Sequence, residues 1–216
     1  MASCCTPTQG IDDFFSKHAE RSLRQFRRKG LSREQRFLVE GIRSAGPEAK
    51  SVLEIGCGVG GLHLTLLKQG ASAATGIDIS QGMIRSARLL AAELGFERST
   101  SYHVGDFVQK DGEVPEADIA VLDKVVCCYE EIDELLGRSL RKAKQIYALS
   151  FPRPTPLIKL MFKSFILAAR LLGWSFHPWW HEWGVMLGTI SAKGFTEIYR
   201  NNTPFWSVHV FRRSVT

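Results

Sequence analysis

The chain has 216 residues, 44% of them hydrophobic and 23% charged. That composition excludes wholesale disorder and supplies the core of one α/β domain rather than two. Its 28 Lys and Arg against 22 Asp and Glu give a net charge of +6, which favours anionic partners. The five cysteines fall as Cys4-Cys5, Cys57 and Cys127-Cys128, an odd count without the spacing of a disulfide framework, so free thiols in a reducing compartment are expected. Adjacent cysteines do not readily turn toward one metal and no C-x-x-C occurs, so no metal site is expected. No charged-then-apolar leader with a small-residue cleavage site is present, and the expected location is the cytoplasm.

In chain order, residues 1–50 are expected to form an N-terminal helical cap. Phe15, Ala19, Leu23 and Phe26 make an apolar stripe, while Arg21, Arg24 and Arg28 recur at i, i+3 and i+7 on another face. From Lys17 to Arg43 there are nine basic residues against three Glu. The basic face suits a carboxylated small molecule, an acidic membrane surface or RNA, or it is the solvated side of a docked helix. A second helix over Arg33–Ser44 ends at Gly46-Pro47.

From residue 51 to 216 strands and helices alternate. Strands are expected at Ser51–Ile55, Ala73–Ile77, Ser99–Val104, Asp118–Leu122 and Gln145–Ser150. Helices intervene at Leu62–Gln69, at Gln81–Leu94 with Ser80 as N-cap, and at Glu130–Lys142. Right-handed crossovers and an open parallel sheet follow, with ligands outside the carboxyl ends of the strands. Glu54, Asp78, Asp106 and Asp123 each stand at such an end. The stretch 156–183 departs from this rhythm. Pro156–Gly173 is strongly apolar with Lys159, Lys163 and Arg170 on one face, too interrupted by charge for a membrane span. An interfacial helix or a lid over an apolar substrate is expected, set against ordinary core packing. Trp174, Phe176, His177, Trp179, Trp180, His181 and Trp183 follow. A helix near Trp183–Lys193 and an edge hairpin of Phe195–Tyr199 with Trp206–Phe211 close the chain.

Glu54-Ile55-Gly56-Cys57-Gly58-Val59-Gly60 is the most informative stretch, joining the first strand to the next helix. Its glycines allow a tight turn and close approach of a ligand to the main chain. The spacing departs from a dinucleotide fingerprint, no phosphate-loop lysine follows, and Glu54 would repel pyrophosphate but suit a cation or amino group. The stretch resembles motif I of class I S-adenosylmethionine (SAM)-dependent methyltransferases. The resemblance runs from about Ser51 to Arg212 and implies a Rossmann-like α/β fold: a mostly parallel seven-stranded sheet with an antiparallel edge hairpin and helices on both faces. It implies SAM as cofactor beside Glu54, Gly56, Gly58 and Gly60. The ribose would be held by Asp78 in Gly76-Ile77-Asp78-Ile79-Ser80, and adenine would lie near Asp106 in Gly105-Asp106-Phe107. Ile79, Phe107 and Asp123 complete the implied cofactor set.

The acceptor side is read from Leu122-Asp123-Lys124-Val125-Val126-Cys127-Cys128-Tyr129. It lacks the Asn/Asp-Pro-Pro-Tyr/Phe signature of base N-methylation. It resembles the Asp-x-x-x-x-x-Tyr arrangement of small-molecule O-methyltransferases, including the magnesium-protoporphyrin methyltransferases, with Cys128 in place of a histidine. A small, fairly apolar acceptor methylated on oxygen is therefore favoured. His181, His177 and Tyr129 are the candidate bases, and Arg153 and Lys124 the candidate substrate contacts. An RNA substrate guided by the basic helix is the rival reading, with nucleic acid the less favoured partner. A second rival is a non-catalytic SAM-binding protein at a membrane or in an interaction complex. The sequence does not set the oligomeric state.

Overall fold

The computed structural model describes residues 7–46, 50–172 and 178–214. Two helices come first, α1 (Pro7–Lys29) and α2 (Arg33–Ser44). Gly30 separates them at φ +66°, and α2 begins on a reciprocal cap. Ser32 Oγ accepts from Gln35 N at 3.3 Å while Ser32 N donates to Gln35 Oε1 at 3.1 Å. The alternating region follows: β1 (Ser51–Ile55), α3 (Gly61–Lys68), β2 (Ala73–Asp78), α4 (Gln81–Glu93) and β3 (Thr100–Val104). Next come α5 (Phe107–Lys110), β4 (Ala117–Asp123), α6 (Ile132–Lys142) and β5 (Ala143–Pro152). The chain continues through α7 (Pro156–Leu171) and α8 (Trp183–Ala192) to β6 (Phe195–Asn202) and β7 (Trp206–Arg213).

The strands form one seven-stranded sheet in the order β3-β2-β1-β4-β5-β7-β6. The first five pair in parallel, and β7 runs antiparallel to both β5 and β6. The hairpin expected from the sequence is present, with its second strand inserted against β5 and its first strand left at the edge. Successive residues of β1 supply opposite faces, as a period of two requires. Val52 packs with Leu64, Ile119 and Ile146, while Leu53 packs with Ala120, Tyr147 and Phe195. Burial on both faces is why the central strands read as continuous apolar runs. The chain moves outward from β1 to β3 and then returns to place β4 beside β1. The crevice at that reversal is where such sheets bind ligands.

Helix α1 docks on the domain through the stripe expected of it. Ala19 and Leu23 are buried, Phe26 lies against Gly61 at the start of α3, and Arg27 pairs with Glu93 of α4. Arg21, Arg24 and Arg28 remain exposed. One element was not anticipated: the short helix α5, started by Asp106, whose Oδ1 accepts from Val108 N at 2.9 Å. Cys4 and Cys5, and Trp174, Phe176 and His177 of the aromatic cluster, lie outside the described residues.

Candidate cofactor and acceptor site

The turn after β1 is held in an unusual backbone conformation. Gly56, Gly58 and Gly60 have φ of +66°, +54° and +81°, where a Cβ meets the following carbonyl oxygen. Gly56 N and Cys57 N both donate to Ile77 O of β2, at 2.8 and 3.1 Å. A Cβ on Gly56 would strike Val125, and one on Gly60 would lie 2.9 Å from the His63 ring. At Gly58 a Cβ would meet nothing within 4 Å. The first and third glycines are thus required by neighbouring protein, and the middle one opens on space.

That space is a cavity of about 660 Å³ at the carboxyl ends of β1, β2 and β4. Of the residues singled out from the sequence, Gly56, Gly58, Asp78, Ile79, Asp106, Phe107, Asp123, Lys124 and Tyr129 line it. Glu54, Gly60, Arg153 and His181 do not, and His177 lies outside the described residues.

Asp78 closes one end of the turn. Its carboxylate accepts from Gly58 N and from Ser80 N, each at 2.8 Å. Burial raises its pKa to about 6, the two backbone donors oppose the rise, and the charges of Glu54 and Asp12 add to it. Asp123 accepts from Ser150 Oγ at 2.6 Å, and the same hydroxyl accepts from Lys124 N at 2.9 Å. Lys124, directly after β4, has φ +61°. A non-glycine residue held there costs on the order of 1–3 kcal/mol and persists where surrounding structure enforces it.

Side-chain partners are seen at five of the residues expected in the site. Glu54 does not reach the cavity. It is 2% exposed, and its Oε2 lies 2.6 Å from His63 Nδ1, with His63 Nε2 2.9 Å from the Tyr102 hydroxyl. Burial raises the Glu54 pKa, and His63 works against that rise. Its charge is answered inside the protein, beneath the glycine turn. Tyr129 donates its hydroxyl to Asp106, and burial followed by that hydrogen bond holds its pKa far above the ordinary phenol range, so it is a donor that fixes Asp106 and not a base. His181 turns Nε2 to the Tyr129 carbonyl at 2.7 Å and meets Trp183 edge-on. The Arg153 guanidinium donates to the Thr203 carbonyl at 3.5 Å, and its backbone N to Phe205 O at 2.9 Å. Lys124 lines the cavity with its Nζ 3.4 Å from Glu34 and over the Trp206 ring, so its charge is already shared with α2.

The structure adds residues that the sequence reading missed. Phe15 of α1 and Trp179 line the cavity. Asp12 and Ser16 of α1 cap α4: Gln81 N donates to Asp12 Oδ1 at 3.1 Å and Gly82 N to Ser16 Oγ at 3.0 Å. The Ser80 N-cap was legible locally. Its partner Ser16 Oγ, at 2.9 Å, comes from 64 residues away, and only docking of α1 identifies it.

Residues 52–146 match the family model described as a methyltransferase domain. In that segment the chain resembles the class I SAM-dependent methyltransferases. Methyltransferase domains of that class use SAM as cofactor. The cavity fits that cofactor, because the space at Gly58 is one that any side chain would fill and the buried Asp78 carboxylate stands at its edge. Magnesium protoporphyrin IX methyltransferase from Synechocystis PCC 6803 with bound SAH superposes with a TM-score of 0.72 at 20% identity, covering 94% of this chain and 98% of that one. Its SAM complex gives 0.72 at 18% identity, covering 99% and 100%. The cyclase SpnF gives 0.71 at 13% identity with 98% of each covered, so this fold also carries other chemistry. In sequence, ajmaline N-methyltransferase from Rauvolfia serpentina is 40% identical over 62 residues, 28% of this chain and 21% of that enzyme. The match spans about a fifth of that relative's length.

Proposed function

We propose that this chain is a SAM-dependent methyltransferase that acts on a small, fairly apolar molecule, with oxygen as the acceptor atom. The observation that carries the reading is the cavity itself, whose walls beyond the glycine turn include Ile79, Met83, Phe107, Val125 and Trp179. Bound SAM supplies the electrophilic methyl group, and alignment of acceptor and donor in a dry site is then the main task left to the protein. In the proposed arrangement Asp78 takes the ribose hydroxyls, Asp106, fixed by Tyr129, stands near adenine, and Gly58 gives the backbone close approach to the methionine part. Resemblance to the magnesium protoporphyrin enzyme in fold supports a small-molecule acceptor without identifying it.

The lining also bears on which oxygen. Glu130, Glu131 and Glu134 line the cavity, as does Trp179, and like charges there disfavour a carboxylate acceptor. A hydroxyl acceptor fits better, with a lining carboxylate such as Asp123 taking its proton in place of His181. The same three glutamates and tryptophan favour one second reading, an amine nitrogen, since a cationic amine is attracted by carboxylates and by an indole face. The partial likeness to ajmaline N-methyltransferase points the same way. Incubation with radiolabelled SAM and a fractionated metabolite extract, followed by identification of the labelled product, tests both. An ether product supports oxygen and a methylamine the second reading. Label that enters RNA in the same extract, or no product at all, defeats the proposal.

A further inference from the structure

Helix α7 has three distinct sides. Ile158, Phe162 and Ala169 are buried, and Phe162 meets Trp180 edge-on and lies near Phe205. The side turned away is not polar. Leu157, Leu160, Met161, Leu167, Leu171 and Leu172 are between 52% and 78% exposed, and their spacing along the helix gathers them in one sector. Between the docked and the exposed sides stand Lys159 and Lys163. The helix contains no acidic residue. Lys159 reaches Glu182 at 3.1 Å and stands over the Trp180 ring, while Lys163 is exposed. Scattered exposed apolar residues need no explanation, but a contiguous sector on one helix does.

We propose that this face of α7 is a docking surface for the headgroup region of an anionic lipid bilayer. The charge pattern selects that occupant. An apolar sector edged by lysine, on a helix with no carboxylate of its own, is the distribution of a helix lying in an interface, its leucines among the acyl chains and its ammonium groups at the phosphates. A second copy of this chain is less suited. Two-fold packing of α7 about its midpoint sets Lys163 against its own copy, with no acidic residue on the helix to offset the repulsion. Spanning is excluded by length, since 16 residues extend about 24 Å against a hydrocarbon core of about 30 Å. Among the described residues no helix is long and apolar enough to cross a membrane. The surface requires no assumption about the methyl acceptor.

Co-sedimentation with vesicles tests the proposal, using the full chain and two lipid compositions: equal phosphatidylcholine and phosphatidylglycerol, and phosphatidylcholine alone. Binding to the mixed vesicles is expected, weakened about fivefold or more on pure phosphatidylcholine. The double variant Leu157→Ser/Leu160→Ser should bind the mixed vesicles at least tenfold more weakly. Both side chains are exposed and lie away from the cavity, so the variant should keep the wild-type melting temperature and SAM affinity, which verifies that it is folded. A wild-type protein that stays in the supernatant with both compositions overturns the proposal. So does a folded double variant that sediments like the wild type. Concentration-dependent dimerisation that the double variant abolishes, without vesicle binding, assigns the face to a second copy instead.

Discussion

The geometry around Asp78 predicts that SAM affinity depends on pH in a window where few carboxylates titrate. In the cofactor-free protein burial lifts this group to about 6, well above the ordinary value near 3.9. Ribose hydroxyls donate more strongly to a charged carboxylate than to a neutral acid, so binding favours the ionised form. The ionised fraction is then about 0.9 at pH 7 and about 0.1 at pH 5, and the apparent Kd, which scales inversely with that fraction, should rise about tenfold. The same shift has a stability consequence of opposite direction. Because the folded pKa is raised, the contribution of Asp78 to the cofactor-free fold is fully present below about pH 4 and is lost as pH rises through 6. Titration calorimetry between pH 5 and 7, on wild type and Asp78→Asn, reads the effect directly. The variant loses a charge-assisted acceptor worth about 2 kcal/mol, or about thirtyfold in Kd, and its profile should be flat. A wild-type Kd constant within about twofold over this range, or an Asn variant that retains the slope, would refute the assignment.

Three further outcomes are expected. Gly58→Trp should remove measurable SAM binding in calorimetry, since the indole would occupy the space that opens at that position; unchanged affinity would place the cofactor elsewhere. His63→Ala should lower unfolding free energy in urea by about 3 kcal/mol, because it strips the buried Glu54 of its partner. A loss below about 1 kcal/mol would mean that Glu54 simply protonates at little cost. Gly82→Ala places a Cβ 2.9 Å from Ser16 Cα and should loosen α1. Hydrogen exchange should then rise over α1 while the sheet stays protected, and equal protection in both proteins would show that α1 adjusts without releasing its cap on α4.

The architecture was legible in the sequence, and so was the likeness of its glycine turn to a SAM site. Alternation of short apolar runs with amphipathic segments compels a layered parallel sheet, and the carboxyl ends of its strands are known once the strands are. That is why Asp78, Asp106 and Asp123 were legible as one cluster, and why Gly56, Gly58 and Gly60 indicated a backbone open to a ligand. What the sequence left undetermined is which way side chains turn and what they meet from distant elements. Glu54 has the position expected for a cofactor contact, yet His63, one helical turn into α3, takes its charge in the interior. Tyr129 is read as a base until Asp106 is seen to accept a hydrogen bond from its hydroxyl. Asp12 and Ser16 carry no signal of their own, Phe15 shows only as part of an apolar stripe, and all three become part of the site only because α1 docks on α4. The leucines of α7 look the same in sequence whether they build a core or a surface. Local pattern fixes periodicity, and partners separated along the chain fix direction, so the tertiary structure alone decided which charges face the cavity and which apolar side faces out.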